Sequence, residues 1–241
     1  MVNRHNIAAD GSWRYTGQHD SFPIAPGEVW AVDRHLFVCA DAERQEQPWT
    51  LAGVRTETIA FVYADPPYSA GIARSYRTKA GVDGGKGAPV DYPNLVQQFV
   101  AAARLNETVA YVESGVKTVD QVADACQAVG AEITGRWNIS FYGKEPARLI
   151  AADFRPQPVN DHPDFEGVDD DDTPALAVAH WARRRPNGLV LDPCAGRGLT
   201  ARTAQQSGYR SVNVELSPYR LAEAIASVAR LTGTNPIRVV P

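Results

Sequence analysis

Asp65-Pro66-Pro67-Tyr68 is the stretch of this chain with the clearest chemistry, and it directly follows the apolar run Ile59-Ala60-Phe61-Val62-Tyr63. A carboxylate and a rigid turn at the carboxyl end of a parallel strand point into the crevice where open α/β sheets bind ligands. The two prolines fix φ and remove two backbone donors, which leaves carbonyl oxygens free to accept. An amine on a flat aromatic base offers two N–H donors. The Asp65 carboxylate and a backbone carbonyl can hold both, while the Tyr68 ring stacks on the base. The chemistry this suits is a reaction at an aromatic amine, although the same four residues also serve as a plain proline turn closing a strand.

A second constellation is Val190-Leu191-Asp192-Pro193-Cys194-Ala195-Gly196-Arg197-Gly198, a short apolar run entering a glycine turn. Glycines there let the backbone approach a ligand closely. Glu215 ends the next apolar run, Ser211 to Val214, twenty-three residues after Asp192. An acid at that place is the usual partner of ribose hydroxyls. Pro193 and Cys194 break the G-x-G-x-x-G dinucleotide pattern, so an adenosine-bearing ligand other than a dinucleotide is expected.

These residues need a sheet to bring them together, and the alternation of short apolar runs with amphipathic stretches predicts one covered by helices. Strands are expected at Leu36 to Ala40, Thr58 to Tyr63, Thr108 to Val112, Gly188 to Leu191 and Ser211 to Val214. Helices are expected at Asn94 to Leu105, Thr118 to Val129, Pro174 to Arg185, Leu199 to Ser207 and Pro218 to Leu231. Glu132 to Tyr142 and Ala147 to Phe154 flank Gly143-Lys144-Glu145-Pro146 and read as an antiparallel hairpin. The expected fold is therefore a doubly wound α/β sheet, mostly parallel, with an antiparallel hairpin strand near one edge. Residues 1–25 read as an arm and 26–241 as a single domain. Within that domain, 69–93 and 156–172 read as irregular loops.

With 241 residues, 44% of them hydrophobic, the chain can bury one substantial core. Twenty-four basic and 28 acidic residues give a net charge of −4, against a uniformly basic nucleic-acid coat. Seven acids between Asp161 and Asp172 carry much of that negative charge, leaving +3 over the rest of the chain. The run Asp169 to Asp172 reads as a solvated linker. Arg183-Arg184-Arg185 reads as a helix end, where cations suit the dipole. Cys39, Cys126 and Cys194 form no C-x-x-C pair, so neither a zinc site nor a disulfide framework is expected, and no metal is assigned. The absence of an apolar leader or a long apolar run predicts a soluble, cytoplasmic protein with no membrane partner.

Asp-Pro-Pro-Tyr followed far downstream by Leu-Asp-Pro-x-Ala-Gly-x-Gly resembles the amino-methyltransferases that methylate adenine N6 or cytosine N4 in DNA with S-adenosylmethionine. The catalytic motif precedes the cofactor motif, similar to the circularly permuted β-type arrangement of bacterial and phage modification enzymes, including those of restriction-modification systems. Pro26 to Asp41 is similar to that group's opening segment, and the stretch from Pro174 is similar to the helix before its cofactor motif. The resemblance spans roughly residues 26 to 225 and implies a Rossmann-like methyltransferase sheet.

It also implies roles. Asp65, Pro66, Pro67 and Tyr68 would act on a base flipped out of the stack. Asp192, Pro193, Cys194, Ala195, Gly196, Gly198 and Glu215 would hold S-adenosylmethionine, with Asp41 toward its adenine and Pro174 near its methionine. The first-position Asp implies adenine N6 as the favoured target. Arg74, Tyr76, Arg77, Lys79 and Lys86 follow the catalytic turn and are expected to contact DNA. The chain departs from the family's Thr-x-Lys-Pro with Asp171-Asp172-Thr173-Pro174, from its Phe with Cys194, and from its Gly before Asp41 with Ala40. No long target-recognition insert is present, so a homodimer or a separate specificity subunit stays open as partner. N4-cytosine methylation, methylation of an amine in RNA, and a non-catalytic binding protein on the same fold remain the alternatives.

Overall fold

The computed structural model describes residues 6–7, 13–14, 23–43, 47–53, 58–81, 89–141, 143 and 145–239. In chain order the elements are β1 (Asn6–Ile7), β2 (Trp13–Arg14), β3 (Pro23–Ile24), β4 (Val29–Val32), β5 (His35–Cys39), β6 (Ile59–Ala64), α1 (Ala70–Lys79), α2 (Tyr92–Leu105), β7 (Val109–Gly115) and α3 (Val119–Gln127). They continue with β8 (Glu132–Phe141), β9 (Glu145–Asp153), α4 (Thr173–Arg184), β10 (Leu189–Asp192), α5 (Leu199–Gln206), β11 (Arg210–Glu215), α6 (Pro218–Thr232) and β12 (Ile237–Val239). Among the described residues β4 to β12 build one nine-stranded sheet in the order β12-β4-β5-β11-β10-β6-β7-β9-β8, and β1 to β3 form a small sheet of their own.

The central strands β5, β11, β10, β6 and β7 run parallel. Every residue of β6 is buried, as a strand covered on both faces must be. Its side chains alternate between two cores. Val62 and Ala64 pack with Val96, Phe99 and Val100 of α2. Phe61 and Tyr63 face the other way toward α4, where the Phe61 ring stacks on Trp181 at 5.8 Å between centroids.

Three expectations need correction. The sheet is antiparallel at both ends, not near one edge alone, because β12-β4-β5 on one side matches β7-β9-β8 on the other. The β4 strand was hidden because Val29-Trp30-Ala31-Val32 lies only two residues from β5, and the pair forms a tight hairpin rather than a crossover. The segment 69–93 is also not irregular throughout. Ser69 caps α1 by accepting from the Ile72 backbone N–H, so ten residues form a helix that glycine and charge content concealed. Across the second hairpin, Glu145 and Pro146 belong to β9 rather than to the turn.

Candidate active site

Five parallel strands end on one side of the sheet, and each carries an acid at or just beyond its carboxyl end: Asp41, Glu215, Asp192, Asp65 and Glu113. Between them lies a cavity of about 770 Å³, within the usual range for a small-molecule pocket. Its walls also include Tyr63, Tyr68, Phe141, Asp170, Pro174, Cys194, Gly196 and Arg220.

On the β10–β11 side main-chain donors meet both carboxylates. The Cys194 N–H donates to Asp192 Oδ1 at 3.0 Å, and the Gly196 and Ser217 N–H groups donate to Glu215 at 2.8 and 2.7 Å. Burial raises the pKa of Asp192 to about 6, against the Thr200 hydroxyl and the Cys194 N–H, and that of Glu215 to about 7, against its two N–H groups and the Arg220 charge. The two glycines of the turn have different reasons. Gly196 has φ +53°, a would-be Cβ there meets only ordinary contacts with Arg220 at 3.9 Å and the Cys194 carbonyl at 4.0 Å, and it lines the cavity. Gly198 does not line it. A Cβ there would sit 2.7 Å from the Ala224 Cβ, so close packing of α5 on α6 requires this glycine and ligand approach does not.

On the β6–β7 side Asp65 is solvent-exposed at the cavity, and it shares that cavity's lining with Cys194, so the two sequence motifs face one space. Partial enclosure by the cavity walls shifts its carboxyl upward, followed by Asp192 and Asp170, with Arg220 opposing. Tyr68 is fixed at both ends. Its carbonyl accepts from Thr118 Oγ1 at 2.9 Å, and its hydroxyl donates to Glu113 Oε2 at 2.9 Å. Phe141 meets the ring edge-on at 5.7 Å.

Helix α1 roofs part of the cavity, and here the expected DNA contacts separate. Arg77 is only 5% exposed and lies in ion pairs with Asp41 at 2.8 Å and Glu43 at 2.6 Å. This corrects its placement on a DNA-facing surface, since a guanidinium buried between two carboxylates has no face left for phosphate. The same pairs occupy Asp41, expected to reach a cofactor adenine, although it still lines the cavity. Tyr76 also turns inward, with the Arg220 guanidinium 4.2 Å over its ring. Arg74 and Lys79 are exposed on α1, and Lys86 lies outside the described residues.

The acid run is not simply a solvated linker. Asp169 accepts from Ser140 Oγ at 3.0 Å, and Asp170 is buried, lines the cavity and donates its N–H to the Ser140 carbonyl. Pro174 stands in the first turn of α4 and lines the cavity as well. Sequence reasoning passed over Glu113, Tyr63, Asp170, Thr173 and Arg220. For Glu113 a signal existed, because Val109 to Val112 is an apolar run ending in an acid, the same pattern that singled out Asp65 and Glu215.

No family model and no curated protein matches the chain. Solved structures do. The M1.HpyAVI-SAM complex superposes with a TM-score of 0.57 at 11% identity, covering 80% of this chain and 98% of that one. The fold is shared with methyltransferases. A putative DNA modification methylase from Thermus thermophilus complexed with S-adenosyl-L-methionine gives 0.52 at 18% identity, covering 83% and 94%. The cytosine-N4-specific PvuII DNA methyltransferase gives 0.50 at 13% identity, covering 80% and 86%. Among the described residues no helix is long and apolar enough to cross a membrane.

Proposed function

We propose that the chain methylates an exocyclic amine of a base in DNA, with adenine N6 as the favoured target and S-adenosylmethionine as methyl donor. The observation that carries this reading is that the Asp65 turn and the Cys194 turn line one cavity, which supports an amine-accepting carboxylate acting beside an adenosine-type site. The pocket's chemistry fits the donor. Its size is adequate, Gly196 leaves room at the turn, and the acids around it favour a cation. The donor supplies a methyl group on a positively charged sulfur. Two of the solved structures sharing the fold are described as complexes with that compound.

The chain's own residues then do the rest by orientation and hydrogen bonding. Asp65 and the Pro66 carbonyl accept the two amine hydrogens, which directs the nitrogen lone pair toward the donor side of the cavity. Tyr68 stacks on the base, which must leave its helix to reach this depth. Asp192, Pro193, Cys194, Ala195, Gly196 and Glu215 shape the donor's site, with Glu215 toward the ribose and Asp41 toward the adenine. Gly198 serves it only by letting α5 seat on α6. Arg74 and Lys79, exposed beside the cavity, are the phosphate contacts. The order of the motifs makes this a permuted β-type arrangement, with β6 and β10 adjacent in the sheet.

Labelled S-adenosylmethionine incubated with DNA and with RNA, followed by nucleoside separation and mass analysis, tests the reading. Label in N6-methyladenine from DNA is the expected result. A dominant N4-methylcytosine product overturns the base preference and leaves methyl transfer standing. Label in RNA alone overturns the DNA assignment.

A further inference from the structure

The Asp65 half of the cavity holds a buried acid that the steps above do not use. Glu113 is 2% exposed near the end of β7, and among the described residues the hydrogen bonds to its carboxyl involve three hydroxyls, those of Tyr63, Tyr68 and Thr173. Each hydroxyl owns a single hydrogen. That of Tyr68 goes to Glu113 Oε2, and that of Thr173 goes to the Asp170 carbonyl at 2.9 Å. The Tyr63 oxygen contacts both Glu113 Oε1 and Thr173 Oγ1, and its one hydrogen cannot fill both contacts. A proton on Oε1 completes the set. Glu113 then donates to Tyr63, Tyr63 to Thr173, and Thr173 to the Asp170 carbonyl, so each contact has its own hydrogen except that between Thr173 Oγ1 and Glu113 Oε1, at 3.2 Å, which can only share the Thr173 hydrogen.

We propose that Glu113, held as the un-ionised acid, is a positioning residue that fixes the Tyr68 ring for the incoming base. The proposal rests on the methyl-transfer reading and deepens it. A tyrosine ring turns about two side-chain bonds, and a hydrogen bond at its far end selects one orientation. The near end is already set by Thr118 and by Gly115, where a Cβ would come within 3.3 Å of the Tyr68 Cβ. Glu113 thus completes the restraint and ties it through Tyr63 and Thr173 to β6 and the start of α4. Burial and the neighbouring Asp65 charge both push the Glu113 carboxyl toward its neutral form, with the Tyr63 and Tyr68 hydroxyls opposing and Asp170 adding to the push. A neutral Glu113 also spares Asp65 a second negative charge beside it while Asp65 accepts the amine.

The test compares E113Q and E113L, each in the presence of Tyr68 and of Y68F. Glutamine keeps an acceptor for Tyr68 and a donor for Tyr63. Leucine keeps volume and removes both. E113L is expected to raise KM for the DNA substrate about tenfold with kcat changed less than about threefold, E113Q to recover most of that loss, and Y68F to make the E113L effect small. Binding of S-adenosylhomocysteine, unchanged in each variant, shows that the fold persists. An E113Q defect as deep as that of E113L, or an E113L effect equally large with Y68F, overturns the proposal. The infrared spectrum gives a readout that needs no turnover. At neutral pH the wild-type minus E113Q difference spectrum is expected to show a protonated-carboxylic-acid carbonyl band that Y68F shifts, since Glu215, raised to about 7, contributes to both proteins alike. Absence of that difference band overturns the proposal even if methyl transfer is observed, and its presence supports it even if the wild type transfers no methyl group.

Discussion

The two halves of the cavity solve the same problem in different ways. At β10 and β11, Asp192 and Glu215 sit against the N–H groups of Cys194, Gly196 and Ser217, each within a few residues of a strand end, with the Thr200 hydroxyl added on Asp192. At β6 and β7, Glu113 is met by hydroxyls alone, from β6, from the turn after it and from α4, and Asp65 faces Asp192 and Asp170 across the cavity. Backbone donors survive almost any side-chain replacement and hold a fixed geometry. Side-chain hydroxyls can be removed one at a time. The donor half should therefore tolerate change in its partners and fail when its acids are replaced, while the base half should respond to each hydroxyl.

The sharpest break of this comparison is Asp65→Ala. Methyl transfer should fall by more than about a hundredfold, the worth of a positioned acid–base group, while S-adenosylhomocysteine binding measured by calorimetry changes little. Loss of both together would place Asp65 in the donor half. The mirror experiment, Glu215→Ala, should weaken S-adenosylhomocysteine binding by about 1.5–3 kcal/mol, as expected for lost hydrogen bonds to a charged group.

The raised acids of the donor half also predict how stability responds to pH. Glu215 titrates near 4.5 when unfolded and at about 7 when folded, so the folded state holds its proton more tightly. That stabilisation is complete below about 4.5 and is lost as pH rises through about 7, an effect on the order of 3 kcal/mol for a group this deeply buried. Asp192, raised to about 6, adds in the same direction. Urea midpoints of the ligand-free protein should fall from pH 5 to pH 8, and Glu215→Gln should flatten the fall. A midpoint rising with pH would contradict the burial of these acids.

Smaller effects separate the two glycines of the donor turn. Gly198→Ala should cost about 1–3 kcal/mol through the clash with Ala224, read as a lowered Tm with binding preserved in the folded fraction. Gly196→Ala, where a Cβ would meet nothing closer than 3.9 Å, should cost only about 1 kcal/mol from its positive φ and act on binding instead. Equal Tm losses would mean that Gly198 is not fixed by packing.

What was legible in the sequence follows the range of the interactions. The strand β6, the turn after it, the Asp192 turn and the start of α6 at Pro218 were readable because apolar runs, prolines and glycines act within a few residues of themselves. Helix α1 was readable in principle from Ser69, but its glycine and charges outweighed one cap.

The sequence by itself determined the two candidate constellations: an acid and an aromatic ring around two prolines, and an acid with a glycine turn answered by a second acid one strand later. Only the tertiary structure decided which of these residues meet. It set Asp65 and Cys194 on one cavity, withdrew Arg77 into pairs with Asp41 and Glu43, assigned Gly198 to helix packing, and gathered Tyr63, Tyr68 and Thr173 on Glu113. Those juxtapositions join residues far apart in the chain, Glu113 and Thr173 being 60 positions apart, and no local pattern encodes them. They arise because a parallel sheet brings the ends of strands distant in sequence to one side, where burial forces every polar group to find a partner.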